Sequence, residues 1–147
     1  MVDYSGPAGQ ITILNDDMIK REQKKYTRLN IVQIDLSAND INGLYAMQFS
    51  DDGISFSEAE PFFALKPNIT LSEPDGPKTV YVRFQDQLGN WSDIYEDTIY
   101  LDTTYPESTL ILPEYANGGF IPITWNVSDG NGASVNDTIL NYKKGKF

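Results

Sequence analysis

The stretch Thr79–Trp91, TVYVRFQDQLGNW, decides the fold. Val80, Val82 and Phe84 recur at every second position with Tyr81, Arg83 and Gln85 between them, the pattern of a strand with one face in a core and the other toward solvent. The alternation stops at Asp86, where Gly89 and Asn90 supply residues that tolerate the positive φ of a tight return. A second alternating run, Ile94–Leu101, follows, so the two runs predict a β-hairpin.

Upstream, Asn30–Asn39 alternates in the same way, with Val32, Ile34, Leu36 and Ala38 on one face, which predicts a central core strand. Asp40, Asn42 and Gly43 form a turn into Leu44–Ser50, where Tyr45, Met47 and Phe49 make the more apolar face. Asp52 and Gly53 signal a hairpin between that strand and Ile54–Phe56. Pro61–Leu65 reads as a crossing segment, Asn68–Leu71 as a short strand, and Pro74–Pro77 as the turn before the decisive stretch. The expected core is Val32, Ile34, Leu36, Met47, Phe49, Leu71, Val80, Val82 and Phe84. Asn15–Leu29 holds five of the eleven basic residues and reads as a short helix capped by Asn15 or Asp16, or as a solvated polar excursion.

An internal repeat frames these elements. Val2–Gln10 (VDYSGPAGQ) lines up with Leu101–Thr109 (LDTTYPEST), each with a proline four positions after an aspartate and a short apolar strand beyond it, at a spacing near 99 residues. Ile11–Leu14 then matches Leu110–Leu112, and Ile34, Leu36 and Ala38 match Ile123, Trp125 and Val127. Asp129 and Gly132 match Asp40 and Gly43, and Thr138–Lys143 begins a third strand. The predicted organisation is a connector at 1–9, a sandwich unit at 10–103 and the first three strands of a second unit at 104–147. Three strands cannot cover both faces of a sandwich, so the second unit is expected to be completed by strand addition from another copy, a neighbouring domain or a continuation of the chain.

Composition narrows the function classes. The 147 residues include no cysteine and no histidine, which removes disulfides, thiolate chemistry, the usual zinc sites and any Ser-His-Asp arrangement. The 21 acidic residues are spread over many loops with no pair set in apolar surroundings, so carboxylate catalysis is not expected. A net charge of −10 disfavours nucleic acid and anionic membrane surfaces. No run approaches a spanning helix, and the opening MVDYSGPAG has neither the charged nor the apolar region of a signal peptide.

The pairing of Asp86, Gly89 and Asn90 with Asp102, Thr103, Thr104 and Pro106 resembles the immunoglobulin-like, fibronectin III-like tandem repeats of prokaryotic secreted and cell-surface proteins. The resemblance runs from about Gly6 to Pro106 and implies an all-β fold, an Ig-like antiparallel β-sandwich followed by an incomplete second Ig-like unit. It also implies an extracellular or cell-surface, non-catalytic module acting as spacer, stalk, or filament or lattice unit. The alternatives are a carbohydrate-binding accessory module and a calcium-rigidified adhesin repeat. One departure concerns the tyrosine that many such domains place at the start of the penultimate strand. Val80 holds that inward position here, so the Asp-Gly-Pro turn at 75–77 must fix the crossing instead.

Three sets of residues carry the remaining chemistry. Asp40 and Asn42 before Gly43, and Asp129 and Asn131 before Gly132, resemble half of a calcium loop and equally suit plain turns. Asn68, Asn90, Asn126 and Asn136 stand in Asn-x-Ser/Thr sequons, glycan acceptors in an exported protein. Trp91, Tyr95 and Tyr100 lie near one hairpin, as an aromatic sugar-binding platform would require, or as core and edge filling would.

Overall fold

The computed structural model describes residues 4–16, 18–111 and 124–128. The chain divides into two units, Met1–Thr103 and Thr104–Phe147. Among the described residues every regular element is a strand.

In the first unit β1 (Ala8–Leu14), β4 (Ile31–Asn39) and β7 (Leu65–Thr70) form an antiparallel sheet with β4 in the centre. The second sheet contains β2 (Ile19–Arg21), β3 (Lys24–Thr27), β5 (Leu44–Ser50), β6 (Glu60–Pro61), β8 (Gly76–Asp86) and β9 (Tyr95–Leu101). Its order is β2-β3-β9-β8-β5-β6, antiparallel throughout except that β3 runs parallel to β9. Both sheets feed one core, giving a β-sandwich-like arrangement: Ile11, Ile13, Val32, Ile34 and Leu36 from the first, Met47, Val80, Val82, Phe84, Ile99 and Leu101 from the second, with Leu71 after β7.

The alternation in Thr79–Trp91 lands as expected: Val80, Val82 and Phe84 are buried while Tyr81, Arg83 and Gln85 are half-exposed. Phe84 is the anchor, with Phe62 edge-on at 5.9 Å, Tyr95 at 5.9 Å, and Gly9 opposite, where an added Cβ would come within 2.4 Å of the ring. Val80 is buried and Tyr81 turns outward over Gly53, so the crossing into β8 is made without a corner tyrosine.

Four expectations are corrected. The described residues of 15–29 contain no helix but the β2–β3 hairpin, because Glu22 and Gln23 both take positive φ (47° and 66°), the geometry of a tight two-residue turn. Tyr45 is exposed rather than in the core. The β5–β8 register shifts between Leu44 and Ala46, so Tyr45 is the extra residue of a bulge, and the inward alternation resumes at Met47. Ile54–Phe56 is not a strand, since the Asp52 carboxylate accepts from the Ile54 and Ser55 amides, both at 2.7 Å, and curls the chain into a polar turn. The first strand begins at Ala8 and Pro7 is fully buried, so Ala8 and Gly9 belong to the sheet and not to a connector. Phe49 packs on the core but is only partly buried.

In the second unit β10 (Glu107–Ile111) and β11 (Thr124–Ser128) pair antiparallel, with Leu110 opposite Trp125 and Ser108 opposite Val127. In the first unit Ile11 stands opposite Leu36 and Gly9 opposite Ala38. These are the residues that the sequence repeat makes equivalent, so the two pairs share one register. Asp129, Asn131, Asn136 and Thr138–Lys143 lie outside the described residues.

The inner face of β8 yields a direct test. Val82→Asp places an unpaired carboxylate at a position with 0% exposure and should consume most of a domain's margin of about 5–15 kcal/mol, leaving the unit unfolded by far-UV circular dichroism at pH 7. Tyr45→Ser, at the bulge, should change stability by about 0.5 kcal/mol or less, whereas a core residue there would cost several times that. Equal losses from the two variants would refute the face assignment.

Candidate functional site

The most elaborate polar arrangement sits where β8 ends. Asp86 continues the inward alternation of β8 and is fully enclosed, so its carboxylate must find donors inside the protein. Its Oδ1 accepts from the Leu88 amide at 2.9 Å and the Asn90 amide at 2.8 Å. Its Oδ2 accepts from Asn90 Nδ2 at 2.9 Å and Asn42 Nδ2 at 3.2 Å. Gly89, at φ 92°, lets the chain turn back on the carboxylate, and the Gln87 amide donates to the Gly43 carbonyl at 3.2 Å, tying the two loops at this end together. Burial pushes the Asp86 carboxyl up, but the Asn90 side chain and backbone, the Asn42 side chain and the Leu88 amide outweigh it and hold its pKa below the usual value. The carboxylate stays ionised with its acceptor sites filled, which suits it to fixing two loops and not to proton transfer. This hub escaped the reading of the sequence as chemistry, although Asp-x-x-Gly-Asn after a core strand was its visible signal.

The hub also explains two of the residues singled out from the sequence. Asn42 spends its side-chain amide on Asp86, and Asp40 Oδ1 accepts from the Asn42 backbone at 2.7 Å, a local Asx turn. Among the described residues no three acidic side chains gather around a point where a metal could sit. Asn90 donates a hydrogen of its side-chain nitrogen, the atom that would carry a glycan, to Asp86. Asn68, at φ 59° on β7, and Asn126 on β11 are exposed.

The aromatic set is divided between two faces. Tyr95 points inward onto Phe84. Trp91 and Tyr100 lie on the outer side of the six-stranded sheet, and cationic side chains lie over both. Arg83 places its guanidinium 4.6 Å from the Trp91 ring and 4.3 Å from the Phe56 ring while donating to Gln48 Oε1 at 2.9 Å. Lys24 stands 4.9 Å over Tyr100, whose ring also meets Tyr26 at 5.3 Å. Beside the partly buried Phe49, a cleft of about 620 Å³ opens between the sheets, lined by Ile69, Val80 and the hydroxyl-bearing Ser57, Thr70 and Thr79. Its size suits a small ligand, and the charged residues that line it are Asp51 and Lys78.

No helix among the described residues is long and apolar enough to cross a membrane. Compared with known protein families, curated proteins and solved structures, the chain matches none of them.

Two carboxylates predict the acid response. Asp52, held by the Ser55 and Ile54 amides and the Ser50 hydroxyl, is lowered to about 2 from an ordinary 3.8, and Asp86 is lowered as well. A depressed folded-state pKa contributes stability above the unfolded value, and that contribution is lost as pH falls through the folded one. The melting temperature should therefore drop between about pH 4 and pH 2, and Asp52→Asn, which keeps an acceptor oxygen but removes the charge, should flatten that slope. Asp86→Ala should lower the melting temperature at pH 7 far more than Asp93→Ala on the exposed loop; a matching small effect would show that the hub is dispensable.

Proposed function

We propose that the chain is a non-catalytic structural module of a secreted or surface-exposed multidomain protein, acting as spacer, stalk or assembly unit. In this reading it is an immunoglobulin-like antiparallel β-sandwich with the opening of a second such unit behind it. The strand order supports this reading: β1, β4 and β7 would correspond to strands A, B and E, and β5, β8 and β9 to C, F and G, with β6 beside C. The observation that carries the tandem reading is the shared register, Ile11 with Leu36 and Leu110 with Trp125, at the positions that the sequence repeat equates. Leu110 and Trp125 are about half exposed (50% and 48%), an apolar surface that a neighbouring copy or domain would cover while adding a strand at the edge of the β10–β11 pair.

The covering of Trp91 by Arg83 and of Tyr100 by Lys24 and Tyr26 weighs against a sugar platform on the outer sheet, because a pyranose ring needs the aromatic faces those groups occupy. The turn chemistry at Asp40 and Asn42 likewise accounts for those residues without calcium.

Antibodies against the chain should label intact cells of the source or find it in the medium; confinement to the cytosol would overturn the surface reading. On a polysaccharide array the chain should show no selective retention, and its melting temperature should not move with EDTA. Retention of one glycan, abolished by Trp91→Ala, would favour the accessory-module alternative, and a chelator-dependent drop would favour the calcium one.

A further inference from the structure

Asn42 and Gly43, at the Asp86 hub, form an Asn-Gly pair, a dipeptide with a chemistry of its own. Glycine has no Cβ, so its backbone nitrogen can approach the preceding asparagine side chain without hindrance. That nitrogen, giving up its proton to hydroxide, attacks Asn42 Cγ and closes a five-membered imide. The Cγ–Nδ2 bond breaks, and ammonia leaves, taking a proton back from water. A second water then opens the ring at either carbonyl and leaves an aspartyl or isoaspartyl residue at position 42.

The fold engages every group that this reaction needs. Asn42 Nδ2, on the leaving side, donates to Asp86 Oδ2 at 3.2 Å, and the Gly43 N–H, the nucleophile, donates to the Asp40 carbonyl at 3.2 Å. The Asn42 backbone N–H is held on Asp40 Oδ1 at 2.7 Å, so the residue is fixed at its backbone and at its side chain. From the other loop the Gln87 amide donates to the Gly43 carbonyl at 3.2 Å, and the Gln87 side chain lies against Gly43, where an added Cβ would stand 3.0 Å from Nε2. Asn42 and Gly43 are only half-buried, so water and hydroxide reach them and the protection comes from the bonding. Swinging the Asn42 side chain back over the Gly43 nitrogen breaks the bond to Asp86, so attack requires the two loops to part first. The product puts a carboxylate where a donor stood. Asp86 is fully enclosed, and its remaining donors, Leu88 and Asn90, lie on its own loop. A second carboxylate brought up to it would find no donor between them, and two like charges in a site so poor in water repel. The reaction therefore removes the very bond that joined the loops.

We infer that Asn42–Gly43 is a self-modification site gated by Asp86. It is preserved while the β4–β5 and β8–β9 loops stay joined, and it deamidates, with water as the co-reactant, once they separate, which locks them apart. The lifetime of this end of the unit is thereby a property of the chain itself. The inference goes beyond the structural-module reading and does not depend on it.

The test incubates the full chain at mildly alkaline pH and follows amide-to-acid conversion by peptide mapping, which separates position 42 from the Asn-Gly pairs at 117–118 and 131–132. Conversion at Asn42 should be at least about thirtyfold slower in the folded chain than in the chain unfolded in guanidinium chloride, as expected when only an open minority reacts. Asp86→Asn, which sets a donor against the Asn42 amide, should raise the rate in the folded chain about tenfold. Val32→Ala, at a buried position near the opposite end of β4, should change it by about twofold or less when the two variants are compared at matched stability. Equal rates in the folded and unfolded chain, or equal acceleration by the two variants, overturns the gate. Asn42→Asp should melt well below the parent at pH 7, and adding Asp86→Asn to it should recover part of the loss, because amide and carboxylate have then changed places. A parent-like melting temperature for Asn42→Asp overturns the lock. The comparison of folded with unfolded chain needs no variant, so a failure of Asp86→Asn to fold leaves the test intact. A negative result would leave the surface-module reading standing, since that depends on the cell-labelling experiment.

Discussion

The inner face of β8 is the constraint on which the first unit depends. Val80, Val82 and Phe84 have to be dry, and without cysteine no disulfide can hold the sheets together in their place. The sheet of β1, β4 and β7 supplies the opposing surface through Ile11, Ile13, Val32, Ile34 and Leu36. Close approach is enforced by glycine at position 9, where any larger residue would strike Phe84. Continuing the same alternation one step further buries Asp86, and the cost of enclosing a carboxylate is met by bringing four N–H donors to it. Core and loop organisation are therefore consequences of one strand.

The edges of the two sheets show how such a fold avoids unspecific pairing. The free side of β7 carries Lys66 and Pro67 with a positive-φ residue behind them, and β6 is two residues long and ends in proline. On β1, Asp97 and Lys25 occupy the Ile13 amide and carbonyl, so the first strand is bonded to the opposite sheet and not left open to another chain. Lys66 pairs with Glu60 across the mouth between β6 and β7. Side chains that look like ordinary surface charges in the sequence thus close the sandwich along its sides.

The second unit repeats the pairing of the first while leaving its apolar residues in a different environment. Ile11 and Leu36 are buried beneath β8 and β9, whereas their counterparts Leu110 and Trp125 are about half exposed. The same register arises because it is set by the alternation within each strand, a local property that a short pair of strands already satisfies. Burial depends on what lies across from the pair and is decided elsewhere.

The sequence by itself determined the all-β character, the inward faces of β4 and β8, the hairpin at Asp86–Asn90 and the repeat whose register the structure reproduces, because each rests on period-two alternation or on turn residues close in the chain. Only the tertiary structure decided the rest. Tyr45 could not be placed from its own strand, since a bulge against β8 turns it outward. The β2–β3 hairpin was hidden in a charged stretch whose strand character comes from lying beside β9 and not from apolar alternation. The partners of Asp86 were half visible: Asn90 is four residues away, but Asn42 is 44 residues distant. Lys25 and Asp97 are 72 residues apart, and no local pattern links them. Contacts across that separation exist only after both sheets have closed on their core, and for that reason they escape any reading confined to neighbours in the chain.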